Sequence, residues 1–72
     1  MSWHRIIKIP AGKNFFFHYT VESYDNIGIV STLSKERENL VLECSTPLSS
    51  AVFFDQLIDK ILKEIKNEFP PN

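Results

Sequence analysis

Residues 27–45, with the sequence IGIVSTLSKERENLVLECS, decide the fold, because they hold two extended segments separated by a charged loop. Residues 27–33 are rich in β-branched side chains, which favours a strand. Residues 40–45 alternate between apolar and polar side chains, as in a strand with one buried face. The six-residue loop at 34–39 predicts that the two strands form a hairpin. Leu40, Leu42 and Cys44 are expected to point inward, and Val41 and Glu43 outward.

A long amphipathic helix is predicted after this hairpin and ends at about Glu68. Thr46 is the predicted N-cap, with Pro47 at the first helical position. Ser49 and Ser50 are alternative caps. Asp59 and Lys63 are spaced four residues apart and are expected to form an ion pair. The predicted apolar stripe consists of Phe54, Leu57, Ile58, Ile61 and Ile65.

Before the hairpin, residues 13–25 predict a shorter helix, with residues 14–21 as a strand the competing interpretation. Phe17, Val21 and Tyr24 lie on one stripe of that helix. Phe15 and Tyr19 lie roughly on the opposite side. A single core buries only one of these two aromatic faces, so the other is expected to be exposed.

The chain begins with a predicted strand at residues 3–9, which Pro10 and Gly12 end. Its alternation separates two faces. One face carries Trp3, Arg5, Ile7 and Ile9, and the other carries His4, Ile6 and Lys8.

The order strand, helix, strand, strand, helix predicts an α+β fold of the split βαβ type. A right-handed first crossover leaves room for the third strand between the other two, and it places both helices on one face. We therefore expect residues 1–72 to form a single ferredoxin-like domain that lacks the fourth strand. The first strand is then an edge with unpaired backbone groups, which is a template for another chain.

Composition narrows the class of protein. The chain has 72 residues, a net charge of −1 and 43% hydrophobic residues. A domain of this size has a thin core and often depends on a metal, a disulfide or a partner. Cys44 is the only cysteine, which excludes an internal disulfide and favours a reducing, cytoplasmic location. No segment has the length or hydropathy of a membrane span or a signal peptide.

Residues 22–33, ESYDNIGIVSTL, resemble an uncharacterised bacterial family of short proteins that form a domain of unknown function. That family combines a helix ending in E-[GS]-Y-[DE] with a strand of the type aliphatic-small-V-V-x-T. Glu22, Tyr24 and Thr32 carry the most specific part of the resemblance. Ile29 departs from the usual valine, and Gly12 stands where an aliphatic residue is common. The resemblance implies the ferredoxin-like fold and no particular activity.

The second strand has apolar side chains on both faces. Two helices on one side of the sheet cannot cover all of this apolar surface. We therefore expect a non-enzymatic interaction module, either a homodimer or a small subunit of a larger assembly, joined through its sheet. Aromatic and aliphatic side chains anchor the centres of such interfaces. The predicted contacts are Trp3, Ile6, Phe15, Tyr19, Ile29 and Val41.

Two other functions are open. A small-metabolite sensor would bind its ligand at a subunit interface through Glu22, Tyr24, Asn26 and Thr32. An RNA-binding domain would use the exposed aromatic residues, but its basic residues are dispersed, which disfavours a nucleic-acid partner. No spacing typical of a metal site, a cofactor site or a catalytic group is present, and Cys44 lies at an inward position. We expect no cofactor, no membrane partner and no enzymatic activity.

Overall fold

A computed structural model describes residues 1–24 and 27–68 of the chain. Within that part, the protein has the predicted α+β organisation, with strands and helices in the expected order. The elements are β1 (Ser2–Pro10), a 3-10 turn (Ala11–Lys13), α1 (Asn14–Glu22), β2 (Ile29–Glu36), β3 (Asn39–Pro47), a second 3-10 turn (Leu48–Ser50) and α2 (Ala51–Glu68).

The three strands form one antiparallel sheet in the order β1-β3-β2, as predicted. In the register, Leu42 at the centre of β3 lies opposite Ile7 on β1 and Thr32 on β2. Both β1 and β2 are therefore edge strands of the described sheet.

Both helices pack on the same face of the sheet and share one hydrophobic core with it. Of the three side chains of β3 predicted to point inward, Leu42 and Cys44 are fully buried and Leu40 is half-buried against the core. Phe17 of α1 is also fully buried. The predicted apolar stripe of α2 is buried along its whole length. This confirms that periodicity located the core-facing sides of β3 and α2.

Tyr24 does not belong to the buried stripe of the first helix. Its side chain is 38% exposed, whereas Phe17 and Val21 of the same predicted stripe are buried. The helix ends at Glu22, and Tyr24 follows its C-cap residue, Ser23. Because the helical repeat stops there, the spacing of Tyr24 no longer places it over the core. The alternative of a strand at 14–21 is wrong, since α1 occupies that segment.

The hairpin loop is shorter than predicted. β2 continues to Glu36 and β3 begins at Asn39, so only Arg37 and Glu38 remain in the turn. Lys35 and Glu36 are exposed edge-strand residues, and strand pairing leaves their charges in water. Polarity therefore did not mark the end of the strand. Arg37 adopts a left-handed backbone conformation with φ 58°. This conformation costs free energy for any residue other than glycine.

Thr46 is not the N-cap of α2, contrary to prediction. β3 continues through Pro47, and Thr46 pairs with Trp3 of β1. The hydroxyl of Thr46 is buried and donates a hydrogen bond to the carbonyl of Ile27. The threonine thus satisfies a carbonyl before β2, while α2 begins later, at Ala51.

Candidate functional site

The helix-free face of the sheet mixes three aliphatic side chains with polar ones. Ile6 is 62% exposed and Ile29 is 67% exposed, while Val41 is half-buried. In the register, Ser45 and His4 lie across from Ile29, and Glu43 and Ser31 lie in that order across from Ile6. Lys8 and Ser34 flank Val41. The aliphatic residues therefore do not form one continuous apolar surface.

Charged groups on this face approach one another across the sheet. The ammonium of Lys8 lies 2.9 Å from a carboxylate oxygen of Glu36. Nδ1 of His4 lies 3.9 Å from a carboxylate oxygen of Glu43. Because β3 separates β1 from β2, the side chain of Lys8 extends across the open face, away from the free edge of β1.

The hydrogen-bond pattern of β1 shows which of its backbone groups face the free edge. The N–H of Ala11 donates to the carbonyl of Glu38 over 2.7 Å, directly after the pair Pro10 and Asn39. Since hydrogen-bonded and non-hydrogen-bonded pairs alternate in an antiparallel ladder, odd-numbered residues of β1 bond to β3. The even-numbered residues therefore direct their N–H and C=O groups toward the free edge. They include His4, Ile6 and Lys8.

The two edges of the sheet differ. β2 has an irregularity in register between Thr32 and Ser34, and bulges of this kind protect edges from pairing with other chains. β1 pairs with β3 without interruption over nine residues. Pro10 falls among the even-numbered residues, so its missing N–H lies on the free side, where proline is tolerated. The β1 edge is thus the more regular of the two edges.

A groove of about 450 Å³ lies between α1 and β2. Phe15 and Tyr19 flank it with stacked rings, whose centroids are 6.2 Å apart and whose planes differ by 16°. These side chains are 80% and 66% exposed. The structure therefore brings together residues from both predicted sets, Phe15 and Tyr19 from the contacts and Glu22 and Thr32 from the ligand set. The lining residues are Asn14, Phe15, His18, Tyr19, Glu22 and Thr32.

Sequence reasoning missed Asn14 as a member of this groove. Asn14, His18 and Glu22 are spaced four residues apart, so they lie along one side of α1. Oδ1 of Asn14 is shielded from solvent and has no hydrogen-bond partner among the described residues. The spacing was visible in the sequence, but nothing there indicated that β2 would form the other wall.

The remaining predicted site residues lie elsewhere. Tyr24 packs edge-to-face on Phe53, with ring centroids 6.0 Å apart, and lines a different pocket. Trp3 is half-buried on the helix-covered side and meets the ring of Phe54 edge-on. Asn26 lies outside the described residues. The structure thus separates Tyr24 from Glu22 and Thr32.

A partly exposed cluster of one cation and two carboxylates, which the sequence analysis did not predict, joins β1 to α2. The guanidinium of Arg5 lies 2.7 Å from Asp55 and 2.8 Å from Asp59. Burial lowers the pKa of Arg5, but the hydrogen bonds and charges of Asp59 and Asp55 outweigh it and the pKa is raised. Asp59 therefore pairs with Arg5, and the predicted ion pair between Asp59 and Lys63 is not among those that the described residues form.

Cys44 has the properties of a core residue. Its side chain is fully buried, and burial raises the pKa of the thiol to about 11. A protonated, inaccessible thiol is a poor nucleophile. Among the described residues, no group of three or more His, Cys, Asp or Glu side chains converges to hold a metal ion. None of the described helices is long and apolar enough to cross a membrane.

Comparison with protein-family models, curated proteins and solved structures found no match to this chain. Function is therefore argued from the two surfaces described above, the β1 edge and the groove between α1 and β2.

Proposed function

We propose that this chain is a protein-interaction module of ferredoxin-like type, which forms a homodimer through the free edge of β1. The observation that carries the proposal is the uninterrupted β1 ladder, whose even-numbered residues direct unpaired backbone groups outward. The sheet order β1-β3-β2, with both helices on one face, supports the ferredoxin-like arrangement. In that arrangement the position beside β1 is open to another strand.

The register of β1 is compatible with antiparallel pairing to itself. With the two-fold axis at Ile6, each Ile6 lies opposite Ile6 of the second copy, and His4 lies opposite Lys8. Ser2 lies opposite Pro10, so the missing proline N–H costs one bond at each end. About eight backbone hydrogen bonds would form, because only the even-numbered residues contribute. The result is a continuous sheet across the dimer.

Side chains near the edge favour this pairing. On the open face, the two copies of Ile6 meet as a cross-strand aliphatic pair. On the helix-covered face, Trp3 lies opposite Ile9 of the second copy, which would bury more of the half-exposed indole. Lys8, an edge lysine of the kind that normally prevents pairing, is held by Glu36 across the open face.

The oligomeric state of three proteins tests the proposal: the wild type, Ile6→Lys and Ile29→Lys. Both substitutions place a lysine at an exposed position on the same face, but only Ile6→Lys puts two like charges opposite each other at the axis. We expect sedimentation to show a wild-type dimer, and Ile6→Lys to weaken it by about tenfold through the lost aliphatic pair and the repulsion. Ile29→Lys should dimerise as the wild type does.

Hydrogen exchange distinguishes edge pairing from face-to-face association. The amides of His4, Ile6 and Lys8 have no partner in the monomer and should become protected only as the protein concentration rises. A wild type that sediments as a monomer throughout the micromolar range would refute the homodimer. Equal dissociation by Ile6→Lys and Ile29→Lys, without protection of these amides, would instead indicate association through the open face.

A further inference from the structure

We infer that the groove between α1 and β2 binds the guanidinium group of an arginine side chain carried by a partner peptide. β1 and β2 are opposite edges of the sheet, so the groove is remote from the proposed dimer edge and stays accessible in the dimer. The inference therefore does not depend on dimerisation.

The first argument is charge. Glu22 is the last residue of α1, where the aligned backbone carbonyls already give a partial negative charge. No described residue forms an ion pair with Glu22, and the groove is lined by neither lysine nor arginine. The carboxylate and the helix end together favour a cationic group at this end of the groove.

The second argument is the shape of the aromatic side chains. Phe15 and Tyr19 present nearly parallel, largely exposed rings beside the carboxylate. The negative face of an aromatic ring attracts cations, and a planar guanidinium stacks on it more readily than an ammonium does. The same helix already holds one such contact, since the ammonium of Lys13 lies 5.7 Å from the ring centre of Phe16.

The third argument is the supply of hydrogen-bond acceptors. A guanidinium has five N–H donors in a fixed plane and no acceptor. The groove offers the carboxylate of Glu22 and the hydroxyl of Thr32 as acceptors.

The open form of the groove favours a peptide over a free metabolite. Small-molecule sites enclose most of the ligand surface, whereas this groove is open to solvent along α1. From Asn14 to Glu22 it extends about 12 Å, at about 1.5 Å per residue. Such a groove accommodates a side chain and the adjoining backbone, with the rest of the partner outside.

Titration with two matched peptides tests the inference by NMR amide shifts. N-acetyl-Gly-Arg-Gly-amide carries the guanidinium, and its citrulline counterpart has nearly the same shape without the charge. We expect the arginine peptide to shift the amides of the groove residues and the citrulline peptide to bind at least about tenfold more weakly. Glu22→Gln should weaken binding of the arginine peptide by about the same factor. Glu64→Gln removes an exposed carboxylate of α2 outside the groove, and this variant should bind the peptide as the wild type does.

Four results would overturn the inference. They are equal binding of the two peptides, unchanged affinity of Glu22→Gln, shifts confined to residues outside the groove, and tighter binding of AMP than of the arginine peptide in the same titration. If free arginine bound as tightly as the peptide, the ligand would be a free metabolite and not a partner peptide. Because the shifts are read residue by residue, this experiment gives the same answer for a monomer or a dimer.

Discussion

Replacing Gly28 by alanine should destabilise the fold through a steric clash with the core. A Cβ at this position would lie 2.6 Å from the carbonyl oxygen of Ser45 and 2.7 and 2.8 Å from two ring carbons of Phe54. The ring of Phe54 is fully buried and the oxygen belongs to the backbone of β3, so neither moves away freely. Overpacking of this kind costs about 3 kcal/mol of unfolding free energy.

The matched control is Gly12→Ala. A Cβ at Gly12 has no atom within 4 Å, and neither glycine adopts a positive φ, so backbone conformation is not a difference between them. Gly12→Ala should leave the free energy of unfolding unchanged or raise it by about 0.5 kcal/mol. For a domain of this size, the loss at Gly28 corresponds to a fall in Tm of roughly 12–24 °C.

Urea and thermal unfolding followed by circular dichroism measure both variants, at one protein concentration because association contributes to stability. A Gly28→Ala variant within about 0.5 kcal/mol of the wild type would show that the connection before β2 does not press against Phe54 as described. The reasoning would also fail if Gly12→Ala were the more destabilising substitution.

Three further predictions concern single side chains. Arg5→Leu should lower the free energy of unfolding by about 1 kcal/mol, because it leaves Asp55 and Asp59 facing each other without a cation. Added salt should reduce the difference between variant and wild type in urea unfolding, and a variant with the wild-type urea midpoint would contradict the prediction. The unfolded chain loses the Cys44 proton at lower pH than the folded chain, whose thiol pKa is about 11 instead of 9.0. Stability should therefore fall by at most about 2 kcal/mol between pH 9 and 11 relative to Cys44→Ala, and rapid native labelling by iodoacetamide would disprove burial of the thiol. Arg37→Gly should stabilise by about 0.5 kcal/mol by relieving the left-handed conformation, and a lowered Tm would refute this.

Burial along a single element was predictable from the sequence. The stripe from Phe54 to Ile65 and the alternation through Leu42 and Cys44 identified the core faces of α2 and β3, because helical and extended repeats differ in period. The sheet order followed from the handedness of the crossover. Strand ends were less predictable, since charged residues such as Lys35 and Glu36 join an edge strand while their side chains stay in water.

Side-chain partners across elements could not be read from the same patterns. Thr46 has the composition of a helix cap, but its hydroxyl satisfies Ile27, whose position depends on how the chain enters β2. Asp59 has a suitable lysine on its own helix, but Arg5 of β1 lies within reach. In both cases a tertiary partner displaced the local one.

The sequence by itself determined the order of the elements and the sides on which they bury their apolar residues, because each element repeats its own pattern locally. Tertiary structure decided that Glu22 and Thr32 share a groove with Phe15 and Tyr19, and that Tyr24 does not. It also decided which backbone groups of β1 face the free edge. These features depend on the distance and register between segments far apart in the chain, and no local repeat encodes them.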